Sequence, residues 1–471
     1  MARYQFVVIG AGPAGVVAAM TAAARGVRVA LVERRLIGGT CLNTGCIPSK
    51  AIIRTSRLYA EMRDATRYGA LVPDGTRVDF AAVMARVRRI RAHLSSRSSV
   101  EHLRAAGVDV FVGEARFADG NTVTVNGEQL HFTKALIATG TRPRVPEIPG
   151  LQDAGFLTNE NVFDLTELPS RLLVIGGGPV GCELAQAFCR LGARTMIVQD
   201  MPLFLPAEER DAAQILSEAF ARDGLDVRLN TKAVNVLREN GQTLVDLVSD
   251  DYRSTIAVDA ILTGSGRSPN VERLNLEAAG VELEAGSGIR VDDSLRTSNR
   301  HIYAAGDVCL EHQYGHTAAA SARMAVRNAL FRGRDRWSVL VIPWCTFIDP
   351  EIAHVGLYVR DANRQGIPVK TFTIPMHDVD RAIADSEDTG FVKIHIHERT
   401  GRILGATIVA RHAGDMINEI TLAMVAGVGL RTLARVIHAY DTQAEAIGTA
   451  AAAYSRTAGA KMKRARQLLS E

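Results

Sequence analysis

Apolar runs broken by glycine loops set the pattern of this chain from its first residues. Residues 6–9, Phe-Val-Val-Ile, form an unalternating apolar run, as expected of a strand buried on both faces. Gly10-Ala11-Gly12-Pro13-Ala14-Gly15 follows and opens an alanine-rich helix to about Arg25; residues 27–33 read as a second strand, ending on Glu33. After a cysteine-bearing segment, helices are predicted over residues 49–67 and 80–106, the latter studded with arginines. Short strands then lead to Ala135-Leu136-Ile137-Ala138-Thr139-Gly140.

The same design then restarts. Residues 171–175 are a strand, Gly176-Gly177-Gly178-Pro179-Val180-Gly181 a second glycine loop, residues 182–191 a helix and residues 195–198 a strand. Asp259-Ala260-Ile261-Leu262-Thr263-Gly264-Ser265-Gly266 echoes the earlier Ala-Thr-Gly turn. From about residue 339 the texture changes to alternating strands, at residues 390–397 and 403–409, and amphipathic helices. The expected fold class is α/β: an internally duplicated pair of Rossmann-like dinucleotide-binding domains, then an α+β domain.

Each glycine loop lies between a strand and a helix, the setting in which backbone approaches a pyrophosphate at a helix N-terminus. That assigns Gly10, Gly12 and Gly15 to one nucleotide, with Glu33 as the carboxylate that accepts from its ribose, and Gly176, Gly178 and Gly181 to a second. In the second unit Gln199 occupies the acidic position and Asp200 stands beside it. No cation lies between Gln199 and Glu209 to meet an extra phosphate, which favours NADH over NADPH; Arg194 and Arg210 are the nearest cations left to reach one.

Composition narrows the classes. At 471 residues the chain is too long for one core. Its 55 basic and 51 acidic residues nearly balance, which gives no reason to expect nucleic acid. The 12 histidines lack metal-ligand spacing, so no resident metal is expected. No signal sequence precedes the first strand and no apolar stretch is long enough to span a bilayer, so a cytoplasmic protein without a membrane partner is expected. Six cysteines in such a length make no disulfide scaffold, and a close pair reads as redox or metal chemistry.

That pair lies in Gly38-Gly39-Thr40-Cys41-Leu42-Asn43-Thr44-Gly45-Cys46-Ile47-Pro48-Ser49-Lys50. Glycines flank both thiols, Pro48 is expected to open a helix, and Lys50 follows in its first turn. A thiol at a helix N-terminus beside an ammonium group has its thiolate favoured. Cys182, Cys189, Cys309 and Cys345 have no partner at useful spacing and are expected to be structural.

These motifs, with Tyr303-Ala304-Ala305-Gly306-Asp307 and the segment 347–356, resemble the pyridine nucleotide-disulfide oxidoreductases over nearly the whole chain, mercuric reductases most of all and dihydrolipoamide dehydrogenase and glutathione reductase besides. The resemblance implies a glutathione reductase-like homodimer with active sites shared between subunits, using FAD and NADH or NADPH. It implies an FAD domain in two parts (residues 1–149 and 268–338), an NAD(P) domain (150–267) and an interface domain (339–471). Carried over, Glu33 holds the FAD ribose and Asp307 the ribityl chain, with Gly39, Thr40, Lys50, Ala115, Thr139, Gly140 and Ala318 as further FAD positions and Gly266 on the nicotinamide nucleotide. Cys46 faces the flavin, Cys41 exchanges with the acceptor, and Lys50 pairs with Glu183 near the flavin.

One segment departs from the disulfide-reducing members. Where they carry His-Pro-Thr-x-x-Glu, this chain reads Tyr440-Asp441-Thr442-Gln443-Ala444-Glu445. Threonine and Glu445 are retained, but a phenol with an ordinary pKa of about 10 is a poor base near neutrality. Mercuric reductases have tyrosine there, because a metal ion bound by thiolates needs no such proton shuttle. The cysteine pair that they carry near the C-terminus has no counterpart after Cys345. The expected function is therefore reduction of a thiol-reactive acceptor, a metal ion such as Hg(II) first. Alternatives are a disulfide or dihydrolipoamide dehydrogenase activity through Tyr440 or His438, a flavin transhydrogenase, oxidase or quinone reductase, and a non-enzymatic redox sensor. His438 is expected to be a packing residue, and the basic stretch 461–466 a solvated helix end.

Overall fold

The computed structural model describes residues 2–250 and 252–468, with side chains as far as Thr457; the basic stretch 461–466 therefore lies outside the described side chains. Two compact units divide the chain, Met1–Met201 with Arg228–Val339, and Pro202–Val227 with Leu340–Glu471.

The first unit begins β1 (Ala2–Ile9), α1 (Pro13–Ala23), β2 (Val29–Glu33), α2 (Gly39–Asn43), α3 (Cys46–Arg63), α4 (Phe80–Ser95), α5 (Val100–Ala105), β3 (Val108–Val112), β4 (Ala115–Asp119), β5 (Thr122–Val125) and β6 (Glu128–Ile137). Its main sheet runs β3-β2-β1-β6-β5-β4, and the strand Ile302–Ala304 also pairs with β6. The strands β3, β2, β1 and β6 and Ile302–Ala304 are mutually parallel, while β5 and β4 return antiparallel. Phe6 and Val8 pack with Ala14, Ala18 and Ala22 of α1, whereas Val7 and Ile9 pack with Val32 and Phe117 on the opposite face. Both faces being covered explains why β1 reads as one apolar run.

The duplication is equally direct. A second parallel sheet runs Asp226–Arg228, Arg194–Val198, Arg171–Ile175, Ala260–Thr263, with the helix Pro179–Arg190 following its first strand in sequence. A three-stranded antiparallel sheet, residues 232–258, is inserted before the last of these.

Two helix boundaries differ from the sequence expectation. The helix predicted over 80–106 is two helices, because the run Ser95-Ser96-Arg97-Ser98-Ser99 offers hydroxyls that compete for backbone groups. Ser99 restarts the chain as the N-cap of α5, accepting from the His102 amide at 3.2 Å. The helix predicted over 49–67 runs from Cys46 to Arg63, so Pro48 is its third residue, still in the first turn where a missing N–H is tolerated.

The second unit is a five-stranded antiparallel sheet in the order Pro343–Thr346, Glu351–Gly356, Ile403–Ala410, Phe391–His397, Val369–Pro375. Ile394 and Ile408 form its core with Ile417 and Ile420 of the helix Ala413–Val425 and Ile447 of the helix Glu445–Leu468. Residues 202–227 join this unit through buried polar contacts. Glu208 accepts from Trp344 Nε1 at 3.0 Å and from the Tyr358 hydroxyl at 2.9 Å; Lys393 Nζ bonds Glu209 at 3.0 Å and also Asp211. Among the described residues no helix is long and apolar enough to cross a membrane.

Burial alone raises the Glu209 pKa, but the His395 hydrogen bond and the Lys393 charge outweigh it and hold the carboxyl at about 2. That is below the ordinary glutamate value of about 4.3, so its stabilisation is complete above that pH and is lost as pH falls towards 2. Lys393→Met, which strands this carboxylate, is expected to destabilise the protein by about 3–5 kcal/mol, with most of the loss recovered when Glu209→Gln is added. Chemical denaturation of the two variants measures both effects, and Glu209→Gln by itself should flatten the acid limb of stability against pH.

Candidate active site

The two glycine loops are built alike. A Cβ added to Gly15 would fall 1.7 Å from the Gly10 carbonyl oxygen, and one on Gly181 would fall 2.1 Å from that of Gly176. Helix and strand therefore meet backbone to backbone, which only glycine allows. At the middle glycines the situation reverses: a Cβ on Gly12 or Gly178 would have its nearest protein neighbour 3.9 Å away. That leaves each helix N-terminus approachable by a pyrophosphate.

Carboxylate and amide hold matching places at the two loops. Glu33, at the end of β2, accepts from the Ala11 amide at 2.7 Å and the Arg35 amide at 2.8 Å. Gln199, just beyond the strand Arg194–Val198, accepts from the Gly177 amide at 2.7 Å. Each side chain thus pins the second residue of its loop, and the neutral amide does so without the charge.

Asp307 stands at the far end of the first nucleotide fold. It accepts from the Thr141 hydroxyl at 3.1 Å, and burial pushes its carboxyl up against the pull of Arg267. Gly306 before it is flanked by Ala14 and Ala318, whose methyl groups would lie 3.3 Å from any Cβ there. Thr139 and Gly140 are held by Asn270, which bonds the Thr139 carbonyl at 2.9 Å and the Gly140 carbonyl at 2.9 Å. Ala115 is buried at the start of β4, two residues after Gly113, whose amide donates to the Glu33 carbonyl. Gly266 (φ +98°) lies against the Arg144 guanidinium.

The thiols lie on successive short elements. Cys41 is on α2, and Cys46 is the first residue of α3 after Gly45. Gly39 has φ +57° and sits with its Cβ position 2.6 Å from Gly12 Cα, so α2, which carries Thr40 and Cys41, is tied against the first glycine loop. The two sulfurs are 3.0 Å apart in a thiol–thiolate contact. The hydrogen bond from Cys41 brings Cys46 down to about 7 against burial, aided by the Lys50 charge. Cys41 is driven the other way, by the same hydrogen bond and by burial. Titration belongs to the pair, in which Cys46 carries the negative charge and Cys41 the proton. Lys50 Nζ bonds Glu183 at 2.8 Å, and the carboxylate is 7% exposed, so the ammonium group is fixed one turn from Cys46.

Tyr440 and Glu445 belong to the second unit. Tyr440 is 75% exposed; its hydroxyl bonds Asp380 at 3.1 Å, and that contact pushes the phenol up from its ordinary value. Glu445 opens the helix Glu445–Leu468 and is half-buried. His438 is buried with Nε2 2.9 Å from Glu419 Oε1. Cys182 and Cys189 are buried, Cys309 and Cys345 half-buried. No group of three or more His, Cys, Asp or Glu among the described residues is placed to hold a metal ion.

Sequence reasoning missed the relay Arg267–Thr141–Asp307, in which Arg267 Nε donates to the Thr141 hydroxyl at 2.7 Å. The signal was present, since Thr141-Arg142-Pro143 and Arg267-Ser268-Pro269 follow the two related turns and pair antiparallel. It also missed Gly315, whose Cβ position lies 3.0 Å from Cys41 Sγ.

Two glycine-loop nucleotide folds, with a dithiol and a lysine–glutamate pair between them, define a dinucleotide-dependent dithiol oxidoreductase. The chain belongs to the pyridine nucleotide-disulphide oxidoreductases: that family matches residues 4–329, and its dimerisation domain matches residues 342–451. Family members are flavoproteins that take NAD(P)H, and the dimerisation domain marks a homodimer. The chain is 33% identical to mercuric reductase of Staphylococcus aureus over 453 residues, 96% of this chain and 83% of that one. It is 34% identical to dihydrolipoyl dehydrogenase of Chlamydia muridarum over 451 residues, 94% and 95% of the two chains. Among solved structures it is similar to LpdA (Rv3303c) of Mycobacterium tuberculosis (TM-score 0.88, 29% identity, 96% and 100% covered). It is also similar to the HOCl-induced flavoprotein disulfide reductase RclA of Escherichia coli (TM-score 0.85, 29% identity, 95% and 99% covered).

Because Lys50 stabilises the Cys46 thiolate, Lys50→Met is expected to raise the pH at which that thiolate forms. The pH dependence of Cys46 alkylation in the NAD(P)H-reduced holoenzyme measures it; an unmoved midpoint means that the Cys41 hydrogen bond alone sets the thiolate.

Proposed function

We propose that this chain uses NAD(P)H to reduce a thiol-reactive acceptor through Cys46 and Cys41, and that the acceptor is a metal ion, Hg(II) first. The observation carrying this reading is Tyr440: an exposed phenol, hydrogen-bonded to Asp380 and pushed up in pKa, stands where disulfide-reducing relatives have their histidine. A leaving dithiol needs a proton returned to it, whereas a metal ion does not. The mercuric reductases at 33–35% identity support the same class, and RclA, a structural neighbour, is described as a Cu(II) complex.

The residues present fit FAD. Gly10, Gly12 and Gly15 leave room for its pyrophosphate, Glu33 has carboxylate lone pairs for its ribose, and Asp307 is a buried acceptor for its ribityl hydroxyls; Gly39, Thr40, Ala115, Thr139, Gly140 and Ala318 would line the same site. FAD when bound supplies two-electron transfer between NAD(P)H and the dithiol. Lys50, held by Glu183, keeps a positive charge beside the thiols, and Cys46 is the anion of the pair. Conversion of Cys41 and Cys46 from dithiol to disulfide releases the two electrons that take Hg(II) to Hg(0), and the Cys41 proton leaves with them. Tyr440 and Glu445 would complete the acceptor site from the partner subunit of the homodimer.

Gly176, Gly178, Gly181, Gln199 and Gly266 are assigned to the nicotinamide nucleotide. Gln199, with Asp200 beside it, favours NADH, because a 2′-phosphate would meet a neutral amide and a carboxylate. A cytoplasmic setting suits a dithiol that has to be kept reducible. A second reading, a disulfide acceptor as in dihydrolipoyl dehydrogenase, is favoured by the relatives of that name at 34% identity.

Steady-state assays of the holoenzyme with NADH and NADPH against Hg(II), lipoamide, oxidised glutathione and a quinone separate these readings. Hg(II)-dependent oxidation of NADH is the expected result. Turnover of lipoamide without Hg(II) would overturn the acceptor assignment, and quinone turnover that survives Cys46→Ser would overturn the dithiol route. Cys46→Ser is expected to lower Hg(II) turnover by about a hundredfold or more. Tyr440→His is expected to raise disulfide turnover by about tenfold or more.

A further inference from the structure

Cys41 carries the proton of the dithiol, yet each neighbouring acid or base is already engaged. Glu183 is bound by Lys50, and Asp307 lies between Thr141 and the Arg267 charge. The unassigned groups are on the segment Glu311-His312-Gln313-Tyr314-Gly315-His316, which leads into the helix Gly315–Leu330. Gly315 sits directly on the thiol, its Cβ position 3.0 Å from Cys41 Sγ, so any side chain there would have to displace the sulfur. The aromatic residues around it are stacked. His312 and Tyr314 have ring centroids 6.3 Å apart at 17°, and Tyr314 and His316 have centroids 5.4 Å apart at 5°. With the Tyr314 ring between them the two imidazoles cannot share one cation, which leaves proton transfer as the chemistry open to them. His316 is exposed and adjoins the glycine that touches the sulfur, whereas His312 is half-buried at the far end of the stack.

We infer that His316 is the base that takes the proton of Cys41 when this thiol attacks an acceptor, directly or through one water. This rests on the dithiol route proposed above and is independent of which acceptor is used. In the step the S–H bond of Cys41 breaks, its electron pair forms the bond from sulfur to the acceptor, and the proton passes to the His316 imidazole, making an imidazolium. No electrons leave the thiol at this point. Imidazole is the side chain whose ordinary titration lies between pH 5 and 8, which suits the task near neutrality where a phenol does not. The helix N-terminus beside Cys41 favours the thiolate so formed. The charged and titratable groups facing this point are Cys46 and Lys50 of α3, Glu183 of the helix Pro179–Arg190, Asp307, and Glu311, His312 and Tyr314 of the same segment.

The test is the rate of Cys41 alkylation by iodoacetamide in the NAD(P)H-reduced holoenzyme against pH, for the wild type and His316→Gln, with His316→Asn if the first variant loses FAD. The expected result is a rate lower by about tenfold or more at neutral pH in the variant, with loss of the limb between pH 5 and 8 and partial rescue by free imidazole. A structural role alone would change the rate without reshaping the profile, and that outcome would overturn the inference, as would an unchanged rate. If the profile is reshaped as expected while Hg(II) is not turned over, the inference stands and only the acceptor assignment falls.

Discussion

Backbone against backbone at Gly15 and Gly181 is the constraint from which the active centre follows. With the Gly10 and Gly176 carbonyl oxygens 1.7 and 2.1 Å from where a Cβ would stand, α1 and the helix Pro179–Arg190 are set tightly on their strands. The first approach leaves Gly12 open and brings Gly39 of α2 against it, so the thiol-bearing helix is indexed to the nucleotide loop. The second sets the helix that carries Glu183, whose carboxylate meets Lys50 of α3. One repeated steric solution thus supports both nucleotide sites and anchors the charge beside the dithiol.

Polarisation of the dithiol is the chemical result. At 3.0 Å two sulfurs with similar intrinsic pKa values cannot both hold a charge in a partly buried site, and Lys50 and Glu183 bias which one does. Cys46 becomes the anion and Cys41 keeps the proton. The groups that can remove that proton therefore matter as much as the thiols, and they differ between this chain and disulfide-reducing relatives: Tyr440 is tied to Asp380, while an imidazole follows the glycine that touches Cys41.

Much of this was legible in the linear chain. Both glycine loops, Glu33, the cysteine pair and the repeat of the Ala-Thr-Gly turn are local signals, because a glycine loop and the thiols around a helix start need only nearby residues. Helix limits were less legible where short-range competition decides them, as at the serine run 95–99. Gln199 was visible as a departure from an acidic residue, but its bond to the Gly177 amide needed the loop in place.

By itself, then, the sequence determined two nucleotide folds, a dithiol and the loss of the histidine at position 440, because each depends on residue type at short spacing. Tertiary structure alone decided the rest. It buried Glu208 and Glu209 against Trp344, Tyr358 and Lys393, drawing residues 202–227 into the second unit, since pairing buried charges over such separations leaves no periodic trace. It linked Arg267 through Thr141 to Asp307, and it set Gly315 on Cys41 with His316 beside it. Contacts between positions far apart in the chain are fixed by packing, and packing is what local pattern does not record.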